Sequence, residues 1–324
     1  MDILYYYNLY GLNVMSSFVI PDAENTSVLD SVQNPDVVVL LDSVPDFRTH
    51  PDLVELSSKW YYSIPDPQLF FMHCDGFDFE ISNGRIVKVD THDLDIKGSN
   101  LVTYILGSAF GVIGIQRGLV PIHGATIVTG DSAVIITGYS GSGKSAILST
   151  LTQMGYRYLA DDVSMVTTVG GKPFVFPSYP QRKIASVTAS ETGEDISAAT
   201  AINEDGRDKF AIRKISEWSD TKLPLSGIVE LVPVQKDDNP VFTPEIKEII
   251  GQASLMLVVR NRYRARFADS IGTPPQRMKQ LLEITSAVKT YQLIRPVTGF
   301  SVAETARLIE RHCLQLSMID NSNM

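Results

Sequence analysis

Cysteine is scarce in this chain. Cys74 and Cys313 are the two among 324 residues. They stand far apart without metal-type spacing, which excludes a disulfide framework and suggests a reducing compartment. Positive charge is also short: 28 Lys+Arg against 37 Asp+Glu give −9 at pH 7. That balance argues against nucleic acid or an anionic membrane as the main partner. Low-complexity tracts and internal repeats are missing. The most apolar stretch, Leu101 to Ile115, is broken by Thr103, Gly107, Ser108 and Gly111. It is shorter than the roughly 20 residues a membrane crossing needs and reads as a buried helix. The start, Met1-Asp2-Ile3-Leu4, lacks the positive flank of a signal peptide, so the expected location is cytoplasmic.

What remains is an ordinary globular composition, 44% hydrophobic and 20% charged, enough for one large or two modest domains. Its most informative stretch is Gly138-Tyr139-Ser140-Gly141-Ser142-Gly143-Lys144-Ser145, followed by Ala146. It fits G-x-x-x-x-G-K-[ST] at every fixed position. Glycines let successive N–H groups point at phosphate oxygens, the lysine reaches the terminal phosphates, and the serine hydroxyl binds Mg²⁺. Ala133 to Thr137 before it reads as a buried strand, and Ser145 to Gln153 after it as a helix ended by Gly155. Gly141, Gly143 and Ala146 also fit a dinucleotide fingerprint. Lys144-Ser145 decides against that reading, because a redox cofactor's pyrophosphate offers no terminal phosphate to the lysine.

Residues 1 to about 95 read as short strands separated by turns: Asp2 to Leu9, Leu12 to Ile20, Asp36 to Leu41, and a hairpin of Phe77 to Ile81 and Arg85 to Val89 around Asn83-Gly84. His50, His73 and His92 are scattered there without a catalytic constellation. A boundary is expected in the polar segment Asp90 to Asn100, giving a β-rich part, 1–95, and a catalytic part, 96–324. Val120 to Val128, which holds His123, reads as a strand paired with the one feeding the loop. Tyr156 to Ala160 is a strand ending at Asp161-Asp162, beside the loop-bearing strand. Two adjacent acids there invite a division of labour, one holding Mg²⁺ with Ser145 and the other accepting a proton from an attacking hydroxyl. Arg182 and Lys209 are candidates to neutralise phosphate charge. Beyond Ile228 to Val234, a further strand, the chain reads as helical: Thr243-Pro244 opening a helix to about Asp269, Pro275 to Ser286, and Ala303 to Leu316 behind a Ser301–Glu304 capping box.

His123-Gly124-Ala125, then Gly138 to Ser145, then Gly155 to Val163 with its Leu-Ala-Asp-Asp run, resembles the core of HPr serine kinase/phosphorylase-like P-loop kinases. The resemblance implies an α/β fold, a mixed sheet with flanking helices, a small β-rich N-terminal domain and a helical C-terminal part. It implies ATP and Mg²⁺ as cofactors, Lys144 and the loop on the triphosphate, Ser145 with Asp162 on Mg²⁺, Asp161 as base, and His123 against the phosphates or assisting the base. Tyr139 and Ala146 stand where bifunctional members carry acidic residues, and their Glu-Ile-Arg-Gly-Leu-Gly signature is absent. In layout, with Tyr10-Gly11-Leu12 near the start and Ser178-Tyr179-Pro180 in the middle, the chain is most similar to the subgroup found with lasso peptide biosynthesis. Its members phosphorylate the C-terminal serine of a precursor peptide. The expected partner is then a precursor peptide, with neither nucleic acid nor membrane, and homo-oligomeric assembly is compatible with the sequence. An HPr-type regulatory kinase and a catalytically inactive nucleotide-binding module are the alternatives.

Overall fold

The computed structural model describes residues 4–21, 23, 34–94, 100–204, 207–235, 242–297 and 302–314. The first three residues, residues 95–99 of the expected boundary segment, the serine of the capping box and the residues after 314 lie outside that set. Among the described residues the fold is mixed α/β with three sheets. The first sheet is built from β1 (Tyr5–Leu9), β2 (Leu12–Ser16), β3 (Val37–Leu41), β4 (Val54–Ser57), β5 (Trp60–Asp66), β6 (Leu69–Cys74), β7 (Phe77–Ser82) and β8 (Ile86–Asp90). Its order is β1-β2-β3-β8-β7-β6-β5-β4. Asn83 and Gly84 both take positive φ, 57° and 58°, in the tight turn between β7 and β8, where Ser82 pairs with Ile86 and its carbonyl oxygen accepts the Arg85 N–H at 3.0 Å.

A helical stretch then crosses the first sheet: α1 (Leu101–Tyr104), a π segment at Ile105–Ala109 and α2 (Phe110–Gln116). Its side chains are buried almost all round. Leu101, Ile105, Leu106, Phe110 and Ile113 join Tyr7, Leu9, Phe70, Phe79 and Val87 of the sheet in one core. This apolar segment is therefore an internal helix packed on a sheet. No helix among the described residues is long and apolar enough to cross a membrane.

The second sheet carries the loop. It contains β9 (Val120–Thr129), β10 (Ser132–Thr137), β11 (Tyr158–Ala160), β12 (Val163–Val169), β13 (Lys172–Val175), β17 (Leu223–Val234), β18 (Glu245–Ile249) and β19 (Lys289–Pro296). β10 is covered on both faces, so it reads as a continuous apolar run with no alternation. Val134 and Ile136 pack under α3 (Lys144–Gln153) and α8 (Val302–Ile309), and Ala133 and Ile135 face α5 (Gln252–Arg260) and α7 (Pro275–Ala287). A third, small sheet of β14 (Arg182–Ala185), β15 (Thr200–Glu204) and β16 (Arg207–Ile212) follows the carboxylate strand, with α4 (Ser186–Thr192) beside it.

Three expectations need correction. The expected helix from Thr243 to Asp269 is instead β18, then α5 and α6 (Ala265–Ile271). Glu245 to Ile249 finds a full antiparallel ladder on β19, a tertiary pairing that overrides local propensity, and Gly251 at φ 61° breaks the chain before α5. The C-terminal part is accordingly not all helical, since β19 lies between β17 and β18. Nor is the carboxylate strand beside the loop-bearing one: β9 separates β11 from β10.

Close approach within this sheet explains Gly124. A Cβ there would stand 2.6 Å from the carbonyl oxygen of Ile136 and 2.9 Å from the Ile135 side chain. Gly124→Ala should therefore force β9 and β10 apart and cost about 1–3 kcal/mol, read as a lower urea midpoint at unchanged slope. An unaltered midpoint would show that the strands are not held this tightly.

Candidate phosphate-binding and carboxylate site

The loop bridges β10 and α3, and its glycines do what side chains could not. Gly138, Gly141 and Gly143 sit at φ 140°, 89° and 101°. A Cβ on Gly138 would lie 2.7 Å from Ser142 Oγ and 2.8 Å from the Leu231 carbonyl oxygen. The helix starts directly at Lys144 with no side-chain cap, so its first N–H groups open into the loop. Arg295, from β19, supports the turn from behind: its Nη2 donates to the Ser142 carbonyl oxygen at 2.6 Å. Lys144 curls over the loop, donating to the carbonyl oxygens of Gly138 (2.6 Å) and Tyr139 (3.1 Å). Desolvation brings its amine down from 10.5 to about 8, although Asp162 and Asp161 both act to raise it.

Opposite the loop, β11 ends and the chain turns at Asp162, whose φ is 71°. That turn separates two neighbouring carboxylates. Asp161 is buried and accepts the N–H groups of Lys183 (2.7 Å) and Asp162 (2.9 Å). Burial raises its pKa, and the Asp162 charge adds to that effect. Asp162 keeps a partly open side chain, with Lys183 Nζ 3.5 Å and His123 Nδ1 3.4 Å from its carboxylate. Burial would raise it too, but the charges of Lys183, Lys209 and Arg264, with the His123 ring beside the carboxylate, outweigh that and hold it well below the usual carboxylate range. His123 Nδ1 also lies 3.2 Å from the Asp162 carbonyl oxygen. Facing only acceptors there, the ring carries its proton on Nδ1, which leaves the lone pair on Nε2. Desolvation lowers the His123 pKa and favours this neutral form.

These groups meet at one cavity of about 170 Å³, lined by His123, Ser140, Gly141, Gly143, Lys144, Ser145, Ala146, Asp161, Asp162, Lys183 and Lys209, with Ala185 and Thr188. A neighbouring cleft of about 680 Å³ shares His123, Ser140, Asp162 and Lys209 and adds Gly138 and Tyr139. Ser142 is buried beneath the loop and lines neither. A larger cleft of about 1150 Å³, between α2 and α7, contains none of these residues.

Arg182 is a correction. It lines neither cavity; it is buried against Glu194 (2.8 Å) and Glu217 (3.1 Å). Its neighbour Lys183 occupies the place expected of it. Strand parity is the reason: side chains alternate along β14, and Ala185, two residues from Lys183, pairs with Lys209 on β16. Lys183, Ala185 and Lys209 line the cavity, while Ile184 packs with Ile212 behind. Sequence reading also passed over Asn261, Arg262, Tyr263 and Arg264, which line the cleft of about 680 Å³. The signal was present: Arg260, Arg262, Arg264 and Arg266 fall within one short run that helical periodicity absorbed.

The donor set suits a triphosphate with Mg²⁺. Among the described residues no cluster of three or more His, Cys, Asp or Glu could hold a metal alone. Mg²⁺ does not need one, since it is commonly held by one or two carboxylates and the phosphate oxygens themselves. Asp162 and Ser145 share the cavity and are the residues that would hold it.

No protein-family model matches the chain, and no curated protein matches it. Among solved structures it is similar to the HPr(Ser) kinase/phosphatase from Coxiella burnetii, with 14% identity and a TM-score of 0.31, over 61% of this chain and 98% of that one. The likeness is distant, and no family assignment follows from it.

The depressed Lys144 amine makes stability pH-dependent. The unfolded chain holds that proton up to about 10.5 and the folded chain only to about 8, so the unfolded state binds more protons between them. Stability should rise with pH across that window, and below it the cost of the charged amine is present in full. Without nucleotide, Lys144→Met should be more stable at pH 7 by on the order of 2 kcal/mol and should show a flatter rise above pH 8. Parallel stability curves for the two proteins would contradict this.

Proposed function

We propose that the protein is an ATP- and Mg²⁺-dependent phosphotransferase that moves the γ-phosphoryl group to a serine hydroxyl of a peptide. The observation that carries the reading is the shared cavity: Ser140, Gly141, Gly143, Lys144 and Ser145 of the loop, Asp161-Asp162 and His123 all open on the same 170 Å³ space. Loop N–H groups and Lys144 bind phosphate oxygens. Lys183 and Lys209 add positive charge where the transferring group would carry negative charge. Mg²⁺ supplies further neutralisation of the phosphates when bound at Ser145 and Asp162.

The two carboxylates suit different tasks. Asp162, kept ionised by its cationic neighbours, suits metal binding. Asp161, with its raised pKa, suits the base that accepts the acceptor's proton as the serine oxygen bonds to γ-phosphorus and ADP leaves. One observation favours the exchanged roles: Asp162 opens on both cavities and Asp161 only on the smaller. The resemblance in layout to lasso peptide kinases, with Tyr10-Gly11-Leu12 near the start and Ser178-Tyr179-Pro180 in the middle, supports the C-terminal serine of a lasso peptide precursor as acceptor.

Phosphate transfer to a precursor ending in serine, followed by mass spectrometry, tests the assignment. Lys144→Ala should abolish transfer. Asp161→Asn should lower turnover by about 10²–10⁴-fold while ATP still binds, and Asp162→Asn should lose the Mg²⁺-dependent part of ATP binding. Near-normal turnover in Asp161→Asn would transfer the base role to Asp162.

A further inference from the structure

The cleft of about 680 Å³ beside the phosphate cavity has a distinct lining: Lys209, Arg260, Arg262 and Arg264 stand there against Asp162 and Glu230. Glu230 is already engaged by Arg260, by Asn261 Nδ2 at 2.7 Å and by Gln292 Nε2 at 2.8 Å. Arg262 turns to Asp269 at 2.6 Å. Arg264 is held differently. Its φ is 49°, a left-handed backbone that a long side chain adopts only where surrounding contacts impose it.

Those contacts come from the first sheet. The Arg264 guanidinium lies 4.6 Å from the centroid of the Trp60 ring on β5. Trp60 is backed by Tyr104, edge-on at 5.4 Å, and the Tyr104 hydroxyl donates to Asp75. Directly after Arg264, α6 is fastened to the same sheet. The Phe267 ring stands 4.9 Å from Tyr62 and 4.8 Å from Phe70, and the Tyr62 hydroxyl is 3.2 Å from Ser270 Oγ. Arg264 lines the larger cleft and not the smaller one, whereas Lys144 and Lys183 line the smaller and not the larger. Its charge is therefore placed for a second ligand and not for the triphosphate.

We propose that the N-terminal sheet completes the acceptor half of the site: Trp60 holds Arg264 over the larger cleft, and the acceptor taken there is an acidic peptide segment with carboxylates beside its hydroxyl. The proposal rests on the phosphotransfer reading, which gives the cleft an acceptor to bind. Arg264 is a binding residue in it and Trp60 a positioning residue, acting through the arginine.

Fluorescence anisotropy with two labelled peptides, one with a serine flanked by glutamates and one with the same serine flanked by glutamines, reads this directly, with ATP affinity measured in parallel. The wild-type protein should bind the acidic peptide about tenfold tighter, with an advantage that added salt erodes. Arg264→Met should remove the preference and lower ATP affinity far less, since Lys183, His123 and Lys209 still face Asp162. Trp60→Leu should weaken it, and Trp60→Phe, which keeps a ring under the guanidinium, should restore it. Equal affinity for both peptides, a preference intact in Arg264→Met, or ATP binding that falls in step with peptide binding would each overturn the proposal and leave the phosphotransfer reading standing. A wild-type protein that binds no ATP would remove both.

Discussion

One strand holds the site together. β9 pairs with β12 over Val120 to His123, then with β10 over Gly124 to Thr129, and β11 joins it at Thr126 and Ile127. The changeover falls between His123 and Gly124. In register, Gly124 lies opposite Thr137, the last residue before the loop, and His123 lies opposite Val163, the first residue after the two aspartates. The Gly124 N–H donates to the Asp162 carbonyl oxygen at 3.2 Å, and Thr137 Oγ1 donates to the His123 carbonyl oxygen at 2.7 Å. A slip of one residue in either ladder would turn the facing side chains to the opposite surface and separate the loop from the carboxylates. Glycine at 124 is the condition for that packing, since no side chain fits between the strands.

The same strand organises the second cleft. His123 N–H donates to the Asn261 carbonyl oxygen and Tyr263 N–H to the Pro121 carbonyl oxygen, each at 2.8 Å, so the arginine-rich segment after α5 is an extra partner of β9. Two cavities with different charge therefore share one wall of His123 and Asp162. Within that wall the burial of Asp161 and the cationic surroundings of Asp162 push neighbouring carboxylates in opposite directions, which is how one short turn can offer both a proton acceptor and an anion.

Local chemistry made much of this legible in the sequence. The strand-loop-helix unit, the Asn83-Gly84 hairpin and the proline start of α7 each depend on residues within a few positions, and each stands where its motif expects it. What escaped depends on partners distant along the chain. Glu245 to Ile249 becomes a strand only because β19 offers it an edge, and β19 itself carries no turn signal strong enough to announce it. Arg182 and Lys183 are equivalent as sequence; the pairing of β14 with β16 decides which of them meets the cavity. Arg295 is farther still from the loop in sequence, yet it supports Ser142 across the sheet.

The proposed phosphotransfer depends first on Gly138 to Ser145 cradling a nucleoside triphosphate. Phosphorus NMR of MgATP titrated with the protein tests this without knowledge of any acceptor. The β and γ resonances should shift or broaden saturably at one equivalent, and Lys144→Met should largely remove the effect. Unperturbed β and γ resonances in the presence of folded wild-type protein would contradict it.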